Sequence, residues 1–427
     1  GGRQLGLGGV VAAGDDALSV EQANGTLAGP LTTRGLQFAK DGTELGVREA
    51  RVDVELWPLL GGTLRVRSLA ASGIVVTLPA TSEHATRSET GVSLKPPLDL
   101  VLDEVHVRGV DVRQAGKSLF QAERIDVAGA WTGEGVRLDK LLVRAPDGHA
   151  DAHGRLLLGT ALQGRGELDF GWTLSGREFV GTLKSRSDGT SANAVLTLSK
   201  PLPATLHLEL RQGGDYPWSA HLEVPESDAS PLLGEGDIKT VAADLEASGT
   251  RERAQVRGKL QVNQWPVRID PLRLARDPVA NALSIETLHL TSPRVPGTLD
   301  AHGQLVLDAS PLAGELDLAW HGVELPPELA GQRIDSHGAI RVRGSLADYR
   351  ATGEVHMGPP QQLADLKLDV QGDDKQLVIH SLNLRQNDGD AELTGHVSFR
   401  PALRWDVRAT GRRFDPGQLV AGWNGAL

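Results

Sequence analysis

Apolar side chains recur at every second position through almost the whole of this chain, and no stretch carries a sustained apolar stripe at helical spacing. The alternation is plain at Val52, Val54 and Leu56, at Leu98, Leu100 and Leu102, at Leu206, Leu208 and Leu210, and at Leu366, Leu368 and Val370. Successive side chains of a strand point to opposite faces, so a period of two marks half-buried strands. The intervening positions are polar, as at Asp53 and Glu55, His207 and Glu209, and Lys367 and Asp369. One face of the sheet is therefore dry and the other wet, and the fold class is all-β. Glycine supplies 51 of 427 residues while aromatics are only 4%, so apolar burial rests on Leu, Val, Ile and Ala. Short strands and many turns are expected, with roughly ten residues per strand and turn and on the order of forty strands.

The alternation slips by one position at Leu102 to Val105 and at Val107 to Val110, the second across Arg108 and Gly109. Turns or β-bulges fit there. A looser repeat places glycines six apart, at Gly148 and Gly154, Gly297 and Gly303, and Gly389 and Gly395. Each pair follows a strand and leads into another, which reads as a hairpin whose turn needs glycine. A related phrase, glycine followed by apolar residues two and four positions later, recurs at Gly62, Gly166, Gly258, Gly314, Gly338 and Gly353. The copies are irregularly spaced, which favours one long meander of degenerate hairpins over a solenoid of fixed coil length.

The dry face needs a cover, and the chain offers no amphipathic helix to provide one. Two sheets could pack as sandwiches, or one sheet could curl into a trough that holds a ligand. Periodicity alone fits both.

With 44 basic and 55 acidic residues the formal charge is −11, and the two signs are mixed along the chain without a basic run. That argues against nucleic acid as a partner. No cysteine is present, which removes disulfides, thiolate metal sites and cysteine nucleophiles. No stretch approaches the ~20 apolar residues of a membrane-spanning helix. The chain opens at Gly1 with no leader pattern, so an anchor or leader is expected to have been trimmed from this piece. His149 and His153 have helical metal-pair spacing but sit in a glycine-rich hairpin, and His153, His302 and His337 each precede glycine in what reads as turn grammar on the wet face. The run Asn387, Asp388, Gly389, Asp390 lacks the spacing and closing glutamate of a calcium loop. No nucleophile elbow, phosphate loop or zinc-protease motif occurs. No catalytic residue, metal ligand or cofactor is assigned, and the chain is read as a non-enzyme.

Two regions bring a family to view. Residues 24–38, NGTLAGPLTTRGLQF, are followed over 47–79 by a phrase containing WPLL at 57–60, and residues 408–427, RATGRRFDPGQLVAGWNGAL, end in W-x-G-x-L through Trp423, Gly425 and Leu427. Residues 316–344 echo that second phrase. In this order they resemble the TamB-like proteins of the AsmA superfamily of bridge-like lipid transfer proteins. The resemblance implies an elongated, curled, repetitive β-sheet, taco-shaped in section, with an apolar interior: a β-groove. It implies a periplasmic location in a Gram-negative envelope, an inner-membrane anchor before this piece, and a C-terminal domain after it that meets a TamA-like Omp85 partner of the outer membrane. Residues 1–427 are then one continuous groove segment, with 1–79 its membrane-proximal start, 80–97 a Pro/Ser/Thr-rich surface loop and 98–427 repeated hairpins.

Joined to the alternation, the resemblance points to a conduit in which acyl chains of phospholipid ride an apolar lane between inner and outer membrane. Candidate lane residues are Leu156, Leu158, Leu305, Leu307, Leu316, Leu318, Ile340, Val342, Leu366, Leu368, Val397 and Phe399. The same family implies an alternative, a scaffold for outer-membrane protein or autotransporter assembly that templates client strands at its edges. A carbohydrate-binding or adhesive solenoid would need regular coils, which the irregular repeat disfavours.

Overall fold

The computed structural model describes residues 9–13, 16–25, 29–40, 42–79, 96–159, 162–234, 236, 238–345, 347–360, 362–386, 389–400 and 402–413. Most of the expected loop at 80–97, residues 387 and 388 of the acidic run, and the closing Trp423, Gly425 and Leu427 lie outside these described residues. The fold is all-β, with 26 strands among the described residues. That is fewer than the forty expected, because strands run long: β5 (Thr63–Leu78), β6 (Asp99–Gln114) and β7 (Lys117–Thr132) have 16 residues each.

The chain divides into two compact units, Gly1–Gln212 and Gly213–Leu427. The first holds β1 (Gly9–Ala13) to β13 (Ala204–Arg211), and the second holds β14 (Trp218–Asp228) to β26 (Arg404–Arg412). Within each unit every strand pairs with its neighbours in sequence, so each unit is a continuous ribbon of hydrogen-bonded strands. The meander breaks once: β5 and β6 pair in parallel, Thr63 opposite Asp99. A parallel pair cannot be closed by a tight hairpin, which accounts for the long connection that the sequence shows as a loop. Ahead of β5, the WPLL phrase forms a short 3-10 turn over Trp57–Gly61.

The first phase slip is a β-bulge, with a register shift between Leu102 and Val105 against β7. The second is different. Gly73 of β5 and Gly109 of β6 stand side by side with φ of +65° and +66°, a left-handed conformation that glycine adopts at little cost. Both strands turn over by one position together, so Ile74 meets Val110 with no loss of register.

The glycine pairs call for a correction. Gly154, Gly303 and Gly395 do not form turns; they lie inside β9 (Gly148–Leu158), β19 (Thr298–Val306) and β25 (Gly389–Ser398). Each faces a bulge in the preceding strand: Leu138/Leu141 in β8 (Gly135–Ala145), Ile285/Leu288 in β18 (Ala282–Thr291) and Ile379/Leu382 in β24 (Gln376–Gln386). The bulge returns both apolar residues to one face, and the glycine gives room where the backbones crowd. His302 and His337 likewise sit within strands, β19 and β21 (Ile334–Ser345).

The wet face is laced by cross-strand ion pairs. Asp317 of β20 (Ala313–Leu325) lies between His302 and Arg341, Arg343 reaches Glu315 at 2.8 Å, and Lys367 reaches Glu354 at 2.7 Å. Most such pairs are solvated and contribute little singly. Asp126 of β7 is the exception, being only 1% exposed. Arg124 donates to it from Nε at 2.9 Å and from Nη2 at 2.7 Å, His106 Nδ1 lies at 2.9 Å, and Lys140 Nζ at 3.7 Å. The Arg124 hydrogen bonds and then the His106 contact hold the Asp126 carboxyl down at about 2.

A Cβ at Gly395, whose φ is +149°, would lie 2.2 Å from the Asp406 carbonyl oxygen. Gly395→Ala is expected to lower stability by about 1–3 kcal/mol in urea unfolding, while Gly214→Ala, where a Cβ meets nothing within 4 Å, leaves it unchanged. Because the Asp126 carboxyl is depressed from 3.8 to about 2, its contribution is complete above pH ~4 and is lost as pH falls through ~2. Asp126→Asn should therefore cost up to ~3 kcal/mol at pH 7 and progressively less below pH 4; an equal deficit at pH 7 and pH 2 would refute the assignment.

Candidate functional site

In the first unit, β8, β9, β10 (Leu162–Leu174), β11 (Arg177–Asp188), β12 (Ser191–Lys200) and β13 carry two in-register rows on the dry face. One row runs Val136, Leu156, Gly164, Ser187, Ala192, Leu210, and the other Leu138, Gly154, Gly166, Ser185, Ala194, Leu208. Large aliphatic residues stand at the ends of each row and small ones in the middle. A floor of Gly, Ser and Ala between leucine walls makes a hollow, here a cavity of 580 Å³ whose lining comprises these residues together with Arg155, Arg165, Arg186, Asn193 and Gln212. Leu208 and Leu210 remain 40% and 38% exposed, so no layer of the described residues fills the hollow.

At the far end of the same strands the sheet curls on itself. Phe120 of β7 and Trp172 of β10 stack with ring centroids 6.2 Å apart, although three strand steps, about 14 Å on a flat sheet, separate them. The curl is toward the dry face, where both rings lie.

The second unit presents the same kind of face. Leu305 is opposite Gly314, Leu316 opposite Val342, and Leu318 opposite Ile340. In β22 (Asp348–Gly358), Gly353 lies between Ile340 and Leu368 of β23 (Ala364–Gly372), and Val355 opposite Leu366. Val397 is opposite Leu377. The register thus places Leu305, Leu316, Leu318, Ile340, Val342, Leu366, Leu368 and Val397 on one face, with Leu156 and Leu158 on the corresponding face of the first unit. Leu307 and Phe399 fall just past the ends of β19 and β25, 42% and 46% exposed, each tied by its backbone N–H to the neighbouring turn, at Asn281 and Lys375. Of the twelve, only Leu156 lines the 580 Å³ hollow. Its small floor residues carry no apolar signal and escape a search for alternating leucines; glycine and serine at the dry phase of a strand were the available clue.

Among the described residues no group of three or more His, Asp or Glu is placed to hold a metal ion. His149 and His153 share the wet side of β9, and His153 faces Glu167 at 3.8 Å. Among the described residues no helix is long and apolar enough to cross a membrane.

No solved structure matches the chain. The family model described as TamB, N-terminal domain, matches residues 2–119 and 294–427, which is more than half of the sequence and includes both regions whose phrases carry the resemblance. Open apolar faces on long β-ribbons, together with that match, lead to one conclusion: the chain belongs to the TamB family, proteins of the cell envelope that work in lipid transport or outer-membrane assembly.

Proposed function

We propose that this chain is a length of intermembrane lipid conduit, in which the dry faces of its two units hold phospholipid acyl chains while head groups remain at the wet rim. The observation that carries the reading is the hollow between Val136, Leu156, Leu208 and Leu210: an apolar, unfilled concavity on a continuous β-ribbon. Each methylene moved from water into such a hollow is favourable by ~0.8 kcal/mol, yet the exposed walls leave the ligand free to slide. No chemistry is needed, so the role is non-enzymatic. The candidate lane residues from Leu156 to Phe399 are proposed as contacts for acyl chains along the way, and residues 1–427 as one groove segment. A periplasmic setting, attachment to the inner membrane and a TamA-like partner in the outer membrane complete the proposal, on the strength of the family.

Photo-crosslinkers at Leu156, Leu208 and Leu368, with controls at the wet-face Gln304 and Glu354, test it by mass spectrometry of the purified protein. Phospholipid attached at the first three and absent from the controls is the expected result. Leu156→Arg or Leu368→Arg should reduce lipid attached at neighbouring apolar probes by roughly a hundredfold, the penalty for a charge in a hydrocarbon lane, with the far-ultraviolet spectrum unchanged. Lipid-free protein with probes crosslinked to unfolded outer-membrane clients would instead establish the assembly scaffold.

A further inference from the structure

Mixed charge along the chain conceals a basic row across it. Arg137 of β8 is directly opposite Arg155 of β9, Arg155 opposite Arg165 of β10, and Arg165 opposite Arg186 of β11. The four residues are far apart in sequence, and only the hairpin registers bring them into line on the wet face, behind the floor of the hollow. Like charges directly opposed on adjacent strands are destabilising, and at two other places on this protein both members of such a contact carry their own acid. Where Arg343 faces Arg350, the first pairs with Glu315 and the second with Asp369; where Arg124 faces Arg144, the acids are Asp126 and Asp151.

In the row, Arg137 has Asp139. Arg155, Arg165 and Arg186 have no ion pair or side-chain hydrogen bond to an acid among the described residues, and all three are exposed. The flanking acids are engaged elsewhere. Glu167 is taken by Lys184 at 2.9 Å, and Asp188 accepts backbone N–H bonds from Thr190 and Ser191, both at 2.8 Å, which hold its carboxyl at about 2. Three adjacent guanidinium groups at the ~4.8 Å strand spacing are thus left without counter-charge in a protein whose formal charge is −11.

We propose that Arg155, Arg165 and Arg186 form a binding site for a ligand presenting two or more phosphate groups. The guanidinium fork matches phosphate oxygens in pairs, and neighbouring strands set two forks close enough to share one phosphate, so a row of this length accepts phosphates in series. The source is either a layer of anionic lipid headgroups or a soluble oligophosphate. The three arginines contribute to the lining of the hollow, but strand alternation sends their side chains to the face opposite that of Leu156, Leu208 and Leu210, so the site does not depend on that hollow's being loaded with lipid.

The test is co-sedimentation of the whole chain with vesicles of phosphatidylglycerol and of phosphatidylcholine, beside calorimetric titration with tripolyphosphate and with polyglutamate. Binding to phosphatidylglycerol but not phosphatidylcholine vesicles, weakening with added salt, assigns a lipid headgroup; binding to tripolyphosphate alone assigns a soluble ligand. In either case single Arg→Gln changes at the three positions should weaken binding about fivefold each and the triple variant about a hundredfold. Arg341→Gln, Arg343→Gln and Arg350→Gln together remove the same charge from acid-paired positions and should leave binding unchanged. No binding to either phosphate probe, equal binding to polyglutamate, or equal losses in the two triple variants would overturn the proposal.

Discussion

An antiparallel sheet that is apolar on one face needs something to cover that face, and among the described residues no helix is able to do so. The requirement shapes nearly everything else in the molecule. Long strands accumulate apolar area, bulges keep that area on one side, and glycine and alanine let neighbouring backbones crowd together as the sheet curls toward it. The curl at Phe120 and Trp172 covers part of the dry face, while around Leu208 and Leu210 the face stays open. A fold that stops short of covering itself leaves apolar surface exposed, and such surface marks a place of interaction.

Bulges are what make a uniform face possible over such lengths. A strand whose apolar positions slip by one would send half of its side chains to the wrong side. The bulge at Ile379/Leu382 opposite Gly395 absorbs the slip locally, and the same arrangement at Leu138/Leu141 and Ile285/Leu288 shows a repeated solution to one geometric problem. The left-handed pair Gly73 and Gly109 is a second solution, in which two parallel strands slip together. Either device costs backbone freedom, and each keeps the apolar residues on one face.

How much of this was legible in the sequence depends on whether the determining contacts are local. Alternation along a single strand is local, so the all-β class could be read from Leu366, Leu368 and Val370 without knowing what they pair with. The slip at Leu102 to Val105 was legible for the same reason. Pairing is not local: the parallel union of β5 and β6 leaves no mark beyond a long connection, and the glycines at Gly154 and Gly303 looked like turn residues because their bulged partners stand on another strand. The floor of the hollow was hidden likewise, since Gly164, Ser185 and Ala194 become significant only when registered between leucines.

The wet face shows the same limit in its charges. Sequence mixing of acids and bases excludes a basic run, but the field that a ligand meets is set by cross-strand rows, and a row samples the sequence at intervals fixed by hairpin length. Asp126 illustrates the outcome where the sampling brings opposite signs together: its carboxylate is buried, ringed by Arg124, His106 and Lys140, and tied to the fold's stability in acid. Arg155, Arg165 and Arg186 illustrate the opposite outcome, where the sampling brings like signs together and no acid is supplied. A sheet that neutralises Arg343 and Arg350 one by one has the means to neutralise these three, and leaving them bare makes sense when the missing charge arrives with a ligand.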